Sequence, residues 1–148
     1  MQTPGSDDTI NDSVGTDEID FSGATSGVTV DLSLLGVQQT VDTAGNTILI
    51  NGSIENMTGS GFADDITGSQ ASNAIEAGGG DDIVRGDIGD DTLDGEAGDD
   101  TLLGGAGDDS LLGGAGNDSI LGGADDDTLD GEAADDRLEG GAGDDSIV

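Results

Sequence analysis

The sequence contains no cysteine, histidine, tryptophan or tyrosine, and its only basic residues are Arg85 and Arg137. Without cysteine it cannot form disulfides, and without cysteine or histidine it lacks the ligands that zinc and copper prefer. It also lacks most of the side chains that act as nucleophiles or general bases in enzymes. Adjacent aspartates recur along the chain, but a catalytic pair of carboxylates should be unique and lie in a cleft. We therefore expect no enzymatic activity.

The shortage of basic residues leaves 34 acidic residues against two, and a formal net charge of −32 over 148 residues. Such a charge repels nucleic acid and anionic membrane surfaces. No apolar run is long enough to span a bilayer, and the N-terminus lacks the basic and apolar regions of a signal peptide. We expect no nucleic-acid partner and no membrane insertion. Acidic chains with few aromatic residues usually remain disordered, so an ordered fold needs a further source of stability.

What the sequence does contain is a strict repeat from residue 77 to residue 148. It consists of eight nine-residue units in one register, which start at Ala77, Gly86, Gly95, Gly104, Gly113, Gly122, Gly131 and Gly140. Position 6 is aspartate in every unit: Asp82, Asp91, Asp100, Asp109, Asp118, Asp127, Asp136 and Asp145. Position 8 is aliphatic in every unit: Val84, Leu93, Leu102, Leu111, Ile120, Leu129, Leu138 and Ile147. Self-similarity at a fixed period predicts a repeat architecture.

Each unit combines a turn with a short strand. Positions 1 to 6 are rich in glycine and acidic residues, which favours a turn, and positions 7 to 9 suit a strand with position 8 on one face. Because each turn reverses the chain, two units complete a coil, and units i and i+2 stack about 4.8 Å apart. The position-8 side chains then form the core, whereas the position-9 leucines Leu103, Leu112 and Leu121 face outward.

A coil of this kind needs a cation. One aliphatic side chain in nine residues buries too little apolar surface to offset the entropy of ordering the backbone, and the stacked carboxylates repel one another. All available ligands are hard oxygens, which favours calcium over zinc or copper, and calcium tolerates irregular geometry better than magnesium. One turn offers half a site and two stacked turns complete it, so binding is expected to be coupled to folding.

The units closely resemble the RTX (repeats-in-toxin), or haemolysin-type, calcium-binding nonapeptide Gly-Gly-x-Gly-x-Asp-x-aliphatic-x. The resemblance covers residues 59–148 well and residues 3–20 weakly. It implies an all-β fold, a right-handed parallel β-roll (β-solenoid) with two nine-residue repeats per 18-residue coil and calcium between stacked loops. It also implies a monomeric part of a protein that is secreted by a type I system and located outside the cell or at its surface.

The resemblance implies a ligand set as well. The position-6 side chains bind calcium, including Asp64 and Asn73 in two degenerate units that begin at Gly59 and Gly68. Carbonyl groups at positions 1 and 3 assist them: Gly86, Ile88, Gly95, Ala97, Gly104, Ala106, Gly113, Ala115, Gly122, Ala124, Gly131 and Ala133. About six to eight calcium ions follow, six from pairs of regular units and up to two from the degenerate units.

The chain before residue 59 departs from the nine-residue repeat. Residues 1–58 are predicted to form an irregular β section with two degenerate repeats and to serve as a candidate N-terminal cap for the roll of residues 59–148. Ile10 and Ile19 occupy position 8 of the two degenerate units, which begin at residues 3 and 12. Residues 28–32 and 47–50 read as strands, and residues 36–44 between them as a loop.

Several points stay open at the level of the sequence. The position-5 acids either point to solvent or bind calcium directly. The units at Gly122 and Gly131 are expected to be the weakest sites, because Asp125 and Ala134 replace glycine at position 4. Two functions remain: a calcium-induced folding module of a secreted bacterial protein, or a structural or adhesive spacer of a larger surface protein, including one that associates with polysaccharide.

Overall fold

The computed structural model describes residues 8–11 and 14–148, and these residues form an all-β structure. Most of the degenerate unit that begins at residue 3 lies outside the described ranges. The strands are β1 (Asp8–Asn11), β2 (Glu18–Asp20), β3 (Thr29–Asp31), β4 (Gln38–Thr40), β5 (Thr47–Asn51), β6 (Asn56–Thr58), β7 (Asp65–Thr67), β8 (Ala74–Glu76), β9 (Ile83–Ile88), β10 (Thr92–Asp94), β11 (Thr101–Ala106), β12 (Ser110–Ala115), β13 (Ser119–Ala124), β14 (Thr128–Ala133), β15 (Arg137–Ala142) and β16 (Ser146–Ile147). The described part of the chain has no helix that is long and apolar enough to cross a membrane.

Most strands stack into two long parallel sheets. Seven strands form one sheet in the order β16-β14-β12-β10-β8-β6-β2, and six form the other in the order β15-β13-β11-β9-β7-β3. Residues 18 positions apart are paired, as Leu93 with Leu111 and Leu111 with Leu129. Successive strands of the array alternate between the sheets, so two nine-residue units complete one coil. The predicted parallel β-roll is therefore confirmed.

The position-8 side chains form the core between the two sheets. Leu93, Leu102 and Leu111 are completely buried, because alternate residues of a strand point to opposite faces. The neighbouring position 9 faces outward, and Leu121 there is 37% exposed. Burial decreases at the last coil, where Ile147 is 52% exposed because a coil covers it on one side only.

The section before the array belongs to the same two sheets. Ile19 pairs with Met57 in one sheet and Val30 pairs with Ile66 in the other, so both core rows continue into this section. The degenerate unit that begins at residue 12 thus supplies strand β2. The strands predicted at residues 28–32 and 47–50 are observed as β3 and β5.

The loop predicted for residues 36–44 is wrong in part, since it contains strand β4. This strand pairs antiparallel with β5 in a separate sheet of order β1-β5-β4. Strand β4 has no alternation of apolar and polar residues that would have predicted it, and it is held by pairing with β5 and by side-chain hydrogen bonds. The Gln39 side chain accepts a hydrogen bond from the Asp31 N–H (2.8 Å) and donates one to the Asp31 carbonyl (2.6 Å), which ties β4 to β3.

Candidate metal centres

The turns between the strands share one backbone conformation throughout the eight regular units of residues 77–148, which we call the array. Positions 2 and 4 have positive φ in all eight regular units, whether or not they are glycine. The residues other than glycine that adopt this conformation are Asp87, Glu96, Asp125, Glu132 and Ala134. Side chains disfavour it, and Ala134 at φ 98° is the least suited of the five because it has no polar group to hydrogen-bond locally. The departures noted in the sequence therefore fall on the positions that glycine suits best.

The position-6 aspartates lie inside the turns and link one coil to the next. Each accepts a hydrogen bond through Oδ1 from the position-6 N–H of the unit two before it. The Asp91 N–H, for example, donates to Asp109 Oδ1 at 2.8 Å, and the Asp100 N–H donates to Asp118 Oδ1 at 2.8 Å. These aspartates are 1–2% exposed from Asp82 to Asp127. Two continuous rows of buried carboxylates, one along each edge of the roll, result from this stacking.

The second oxygen of these carboxylates has no hydrogen-bond partner. Oδ2 is buried and unpaired in Asp82, Asp91, Asp100, Asp109, Asp118 and Asp127. Buried polar atoms nearly always have a partner, and a buried charge without one is strongly destabilising. Six such atoms in register indicate a common missing partner that is positively charged.

A backbone carbonyl lies next to five of these oxygens, those of Asp91, Asp100, Asp109, Asp118 and Asp127. A Cβ atom placed on Gly95 at position 1 would lie 2.6 Å from Asp100 Oδ2 and 2.5 Å from the Gly113 carbonyl oxygen. The space beside the glycine Cα is thus bounded by a carboxylate oxygen of the same unit and a position-1 carbonyl two units later. The same arrangement recurs beside Gly86, Gly104, Gly113 and Gly122.

The predicted carbonyl ligands separate into two groups in the structure. Among the position-1 carbonyls, those of Gly104, Gly113, Gly122 and Gly131 lie beside unpaired oxygens, and Gly140, which was absent from the predicted set, takes this place beside Asp127. The Gly86 carbonyl instead lies beside Asn73 Oδ1. The position-3 carbonyls already accept hydrogen bonds from position-4 N–H groups; the acceptors are Ala97, Ala106, Ala115, Ala124 and Ala133. At Ile88 the corresponding donor, the Ala71 N–H, instead contacts Ser69 Oγ at 3.2 Å.

The two degenerate units differ from the regular ones. Asp64 accepts hydrogen bonds from the Ser60 N–H (2.6 Å) and the Val28 N–H (2.7 Å), so both of its oxygens have partners. Asn73 Oδ1 accepts a hydrogen bond from the Ser69 N–H (2.7 Å). The sequence placed these two residues in the ligand set through their register, and the serine donors were not part of that reasoning.

The position-5 residues form a second ladder, on the surface. Their side chains are exposed, yet the six from Asp81 to Asp126 each accept a hydrogen bond from the position-5 N–H of the next coil, as from Asp108 to Asp90 Oδ1 (3.1 Å) and from Asp144 to Asp126 Oδ1 (2.8 Å). They support stacking from outside the turn. Sequence reasoning anticipated their exposure but missed the ladder, which could have been suspected from the recurrence of Asp or Asn at this position.

Burial and mutual repulsion raise the pKa of the position-6 carboxyls. Burial, followed by the Asp64 and Asp100 carboxylates, raises the pKa of Asp82 to about 7. Burial is also the main cause that raises the pKa of Asp91, Asp100 and Asp109 to about 6, with neighbouring carboxylates adding to it. The pKa values of Asp118 and Asp127 are raised for the same reason. The turns thus hold carboxylates at a cost that a bound cation would remove.

No three acidic side chains of the described residues converge on one point, so carbonyl groups and water would have to supply most ligands of any ion held here. A comparison with family models gives one match, to the RTX calcium-binding nonapeptide repeat in four copies, at residues 58–93, 85–120 and 112–147. The chain belongs to this family. The matches span more than half of the chain, and the RTX array is accordingly a calcium-binding repeat module. No curated protein matches the chain.

The residues of the RTX array fit calcium. Each turn from Asp82 to Asp127 provides an unpaired buried carboxylate oxygen, and neighbouring carbonyls supply further hard oxygens. Calcium takes about 6–8 oxygen ligands and accepts such a mixture of carboxylates and carbonyls. The absence of nitrogen and sulfur ligands from the sequence agrees with this choice of metal.

Proposed function

We propose that the RTX array is a calcium-induced folding module of a secreted bacterial protein. The observation that carries the proposal is the set of six buried carboxylate oxygens without partners, which lie in the two rows of the roll. A fold that buries six uncompensated charges is strongly destabilised until a cation neutralises them. Because the ligands converge only when the coils are stacked, calcium binding and folding of the array are the same event.

Six ions are the expected complement of the array. Six units, from Asp82 to Asp127, have an unpaired carboxylate oxygen that would hold an ion together with the position-1 carbonyl of the unit two later. In the five units from Asp91 to Asp127 that carbonyl lies beside the oxygen. Asp136 and Asp145, in the last two units of the given sequence, are not counted among the six. Calcium supplies the positive charge that holds both oxygens. The chain's residues supply the stacking through Oδ1 and the main-chain ladder.

The proposed setting is export by a type I system followed by folding outside the cell. Calcium is scarce in the cytoplasm and abundant outside it, so a chain that depends on calcium remains unfolded before export and folds after it. The net charge of −32 favours a monomer, since copies repel one another. The RTX repeat and the acidic composition support this setting, and no part of it requires catalysis.

Circular dichroism in chelator and in millimolar calcium tests the proposal. We expect a large gain of β signal on calcium addition, little gain with magnesium at the same concentration, and a calorimetric stoichiometry near six. A full β signal in chelator would contradict calcium-induced folding and favour the permanently folded structural spacer instead.

A further inference from the structure

The first two turns that belong to the family pattern are closed by serine. We propose that Ser60 and Ser69 take the place of calcium in these turns, so that residues 14–76, which we call the base, fold before calcium binds. The base then presents a formed turn at the start of both rows of position-6 residues. This inference rests on the proposed function, because it assigns the calcium-dependent folding to the array alone.

The turn at Asp64 shows the substitution most fully. The Ser60 N–H donates to Asp64 Oδ2 at 2.6 Å, which is the oxygen that remains unpaired in the array. Ser60 Oγ donates to Asp64 Oδ1 at 2.8 Å and accepts a hydrogen bond from the Phe62 N–H at 3.2 Å. One serine therefore joins positions 2, 4 and 6 of its turn. Hydrogen bonds from several donors compensate a buried carboxylate without a metal.

The turn at Asn73 is closed in the same way, without a charge. Asn73 Oδ1 accepts hydrogen bonds from the Ser69 N–H (2.7 Å) and Ser69 Oγ (3.2 Å), and Ser69 Oγ also accepts from the Ala71 N–H (3.2 Å). Asn73 Nδ2 donates to the Ile54 carbonyl at 2.9 Å. An amide whose oxygen and nitrogen are both engaged has no need of a cation and offers no negative charge to attract one.

The backbone explains why serine can act in these turns and not in the array. Position 2 has positive φ in every regular unit, whereas Ser60 and Ser69 do not adopt it. In the base the position-2 N–H reaches the position-6 side chain. In two array units it is directed elsewhere, as at Glu96, whose N–H donates to Asp94 Oδ1 at 3.0 Å. The left-handed turn thus leaves the carboxylate oxygen free for a metal.

The base is placed to template the array. The Asp64 N–H donates to Asp82 Oδ1 and the Asn73 N–H donates to Asp91 Oδ1, both at 2.7 Å, so each row of aspartates starts on a serine-closed turn. The base also has its own core, since 12 of the 19 buried hydrophobic residues lie between Ile19 and Ile75. A folded base removes the cost of ordering two turns for the first ion, as a capping unit does in other repeat proteins.

Hydrogen exchange followed by mass spectrometry on the full chain tests the inference. In chelator, peptides from residues 54–76 should exchange at least about tenfold more slowly than peptides from residues 92–147, and calcium should protect the second group. Equally fast exchange of both groups in chelator would overturn the inference. Protection of residues 92–147 in chelator would contradict the proposed function instead, and with it the assignment of calcium dependence to the array.

A double variant, Ser60→Ala with Ser69→Ala, tests the role of the two serines. In chelator, peptides from residues 54–76 of the double variant should exchange at least about tenfold faster than those of the unmodified chain. The control Ser53→Ala, at an exposed serine, should leave their exchange rate unchanged. Unchanged protection in the double variant would overturn the inference. Native mass spectrometry of the unmodified chain and of an Asp64→Asn variant gives a second readout: equal numbers of bound ions agree with a serine-closed turn, and a smaller number in the variant would place calcium at Asp64 and refute it.

Discussion

The base and the array share two sheets, in which β8 pairs with β10 and β7 pairs with β9, but they satisfy their buried polar groups by different means. In the base, serine donors meet Asp64 and Asn73, whereas six aspartates of the array keep one oxygen unpaired. The base also contains 12 of the 19 buried hydrophobic residues, in a section shorter than the array. On the proposal made above, the repeat register itself does not demand calcium. The demand comes from a buried carboxylate in a turn whose position 2 supplies no donor.

The largest difference between the array and the base is expected when a charge is placed in the core of the array. Leu111 is completely buried and pairs with Leu93 and Leu129. Leu111→Asp should abolish folding of the coils around it, because an unpaired buried carboxylate costs several kcal/mol. Exchange of residues 92–147 in calcium should rise while the base keeps its protection. Leu112→Asp, on the outward face, is the matched control, and equal damage from both variants would contradict the assigned faces.

Removing one buried charge should have the next largest effect. Asp109→Asn keeps an acceptor for the Asp91 N–H but removes the charge next to the Gly122 carbonyl, so one ion should be lost and the calcium midpoint should rise. Asp108→Asn removes the same charge from the exposed ladder and should leave the stoichiometry unchanged. Calorimetric titration of both variants measures this. Equal shifts would mean that bulk charge, not site geometry, governs calcium binding.

A methyl group at position 1 sharpens the comparison between turns within the array. Gly95→Ala should weaken one site, because its Cβ would enter the space between Asp100 Oδ2 and the Gly113 carbonyl. Ala77 already carries such a methyl group in the unit of Asp82, so Ala77→Gly should strengthen binding there. Site-resolved nuclear magnetic resonance titrations measure both effects. The two variants should change the calcium affinity in opposite directions, and a gain in affinity from Gly95→Ala would contradict the assigned site.

Protonation of the buried carboxylates should stabilise the calcium-free array and so replace part of the effect of calcium. Folding raises the pKa of Asp82 from 3.8 to about 7, so the calcium-free array binds protons more tightly when folded. Its stability should therefore increase as the pH falls through 7 towards about 4, and be lost again as the pH rises through this window. Protons also compete with calcium for these carboxylates. The calcium concentration at which half of the array is folded should therefore be higher at pH 5.5 than at pH 7.5, because Asp91, Asp100 and Asp109 become protonated in this range. Circular dichroism at both values measures it, and an unchanged midpoint would contradict the raised pKa values.

The smallest expected effect concerns backbone strain. Ala134→Gly should stabilise the calcium-loaded array by roughly 1 kcal/mol, because glycine adopts positive φ without the penalty that alanine incurs. Asp125→Gly should gain less, since aspartate tolerates this conformation better than alanine. Thermal unfolding in calcium measures both. A loss of stability in Ala134→Gly would show that the methyl group contributes packing that outweighs its strain.

Much of the roll could be predicted because its information is local and repeated. The period of nine, the aliphatic position 8 and the aspartate at position 6 predicted the 18-residue coil, its core and the buried acidic rows. Strand β4 escaped prediction because it is held by Gln39 and by pairing with β5, contacts that no periodicity signals. The carbonyl of Gly140 was left out of the predicted ligand set, although the predicted stacking of units i and i+2 would have placed it beside Asp127.

By itself the sequence determined which residues repeat, and hence which side chains share the core and which carboxylates share a row, since a fixed period imposes a fixed stacking. Whether a given position-6 side chain needs a cation was decided only by the tertiary structure. Asp64 and Asp82 have the same place in the repeat, yet one meets Ser60 and the other keeps a buried oxygen unpaired. The difference arises from the backbone conformation at position 2 and from groups brought together by coiling, which no single unit of the sequence contains.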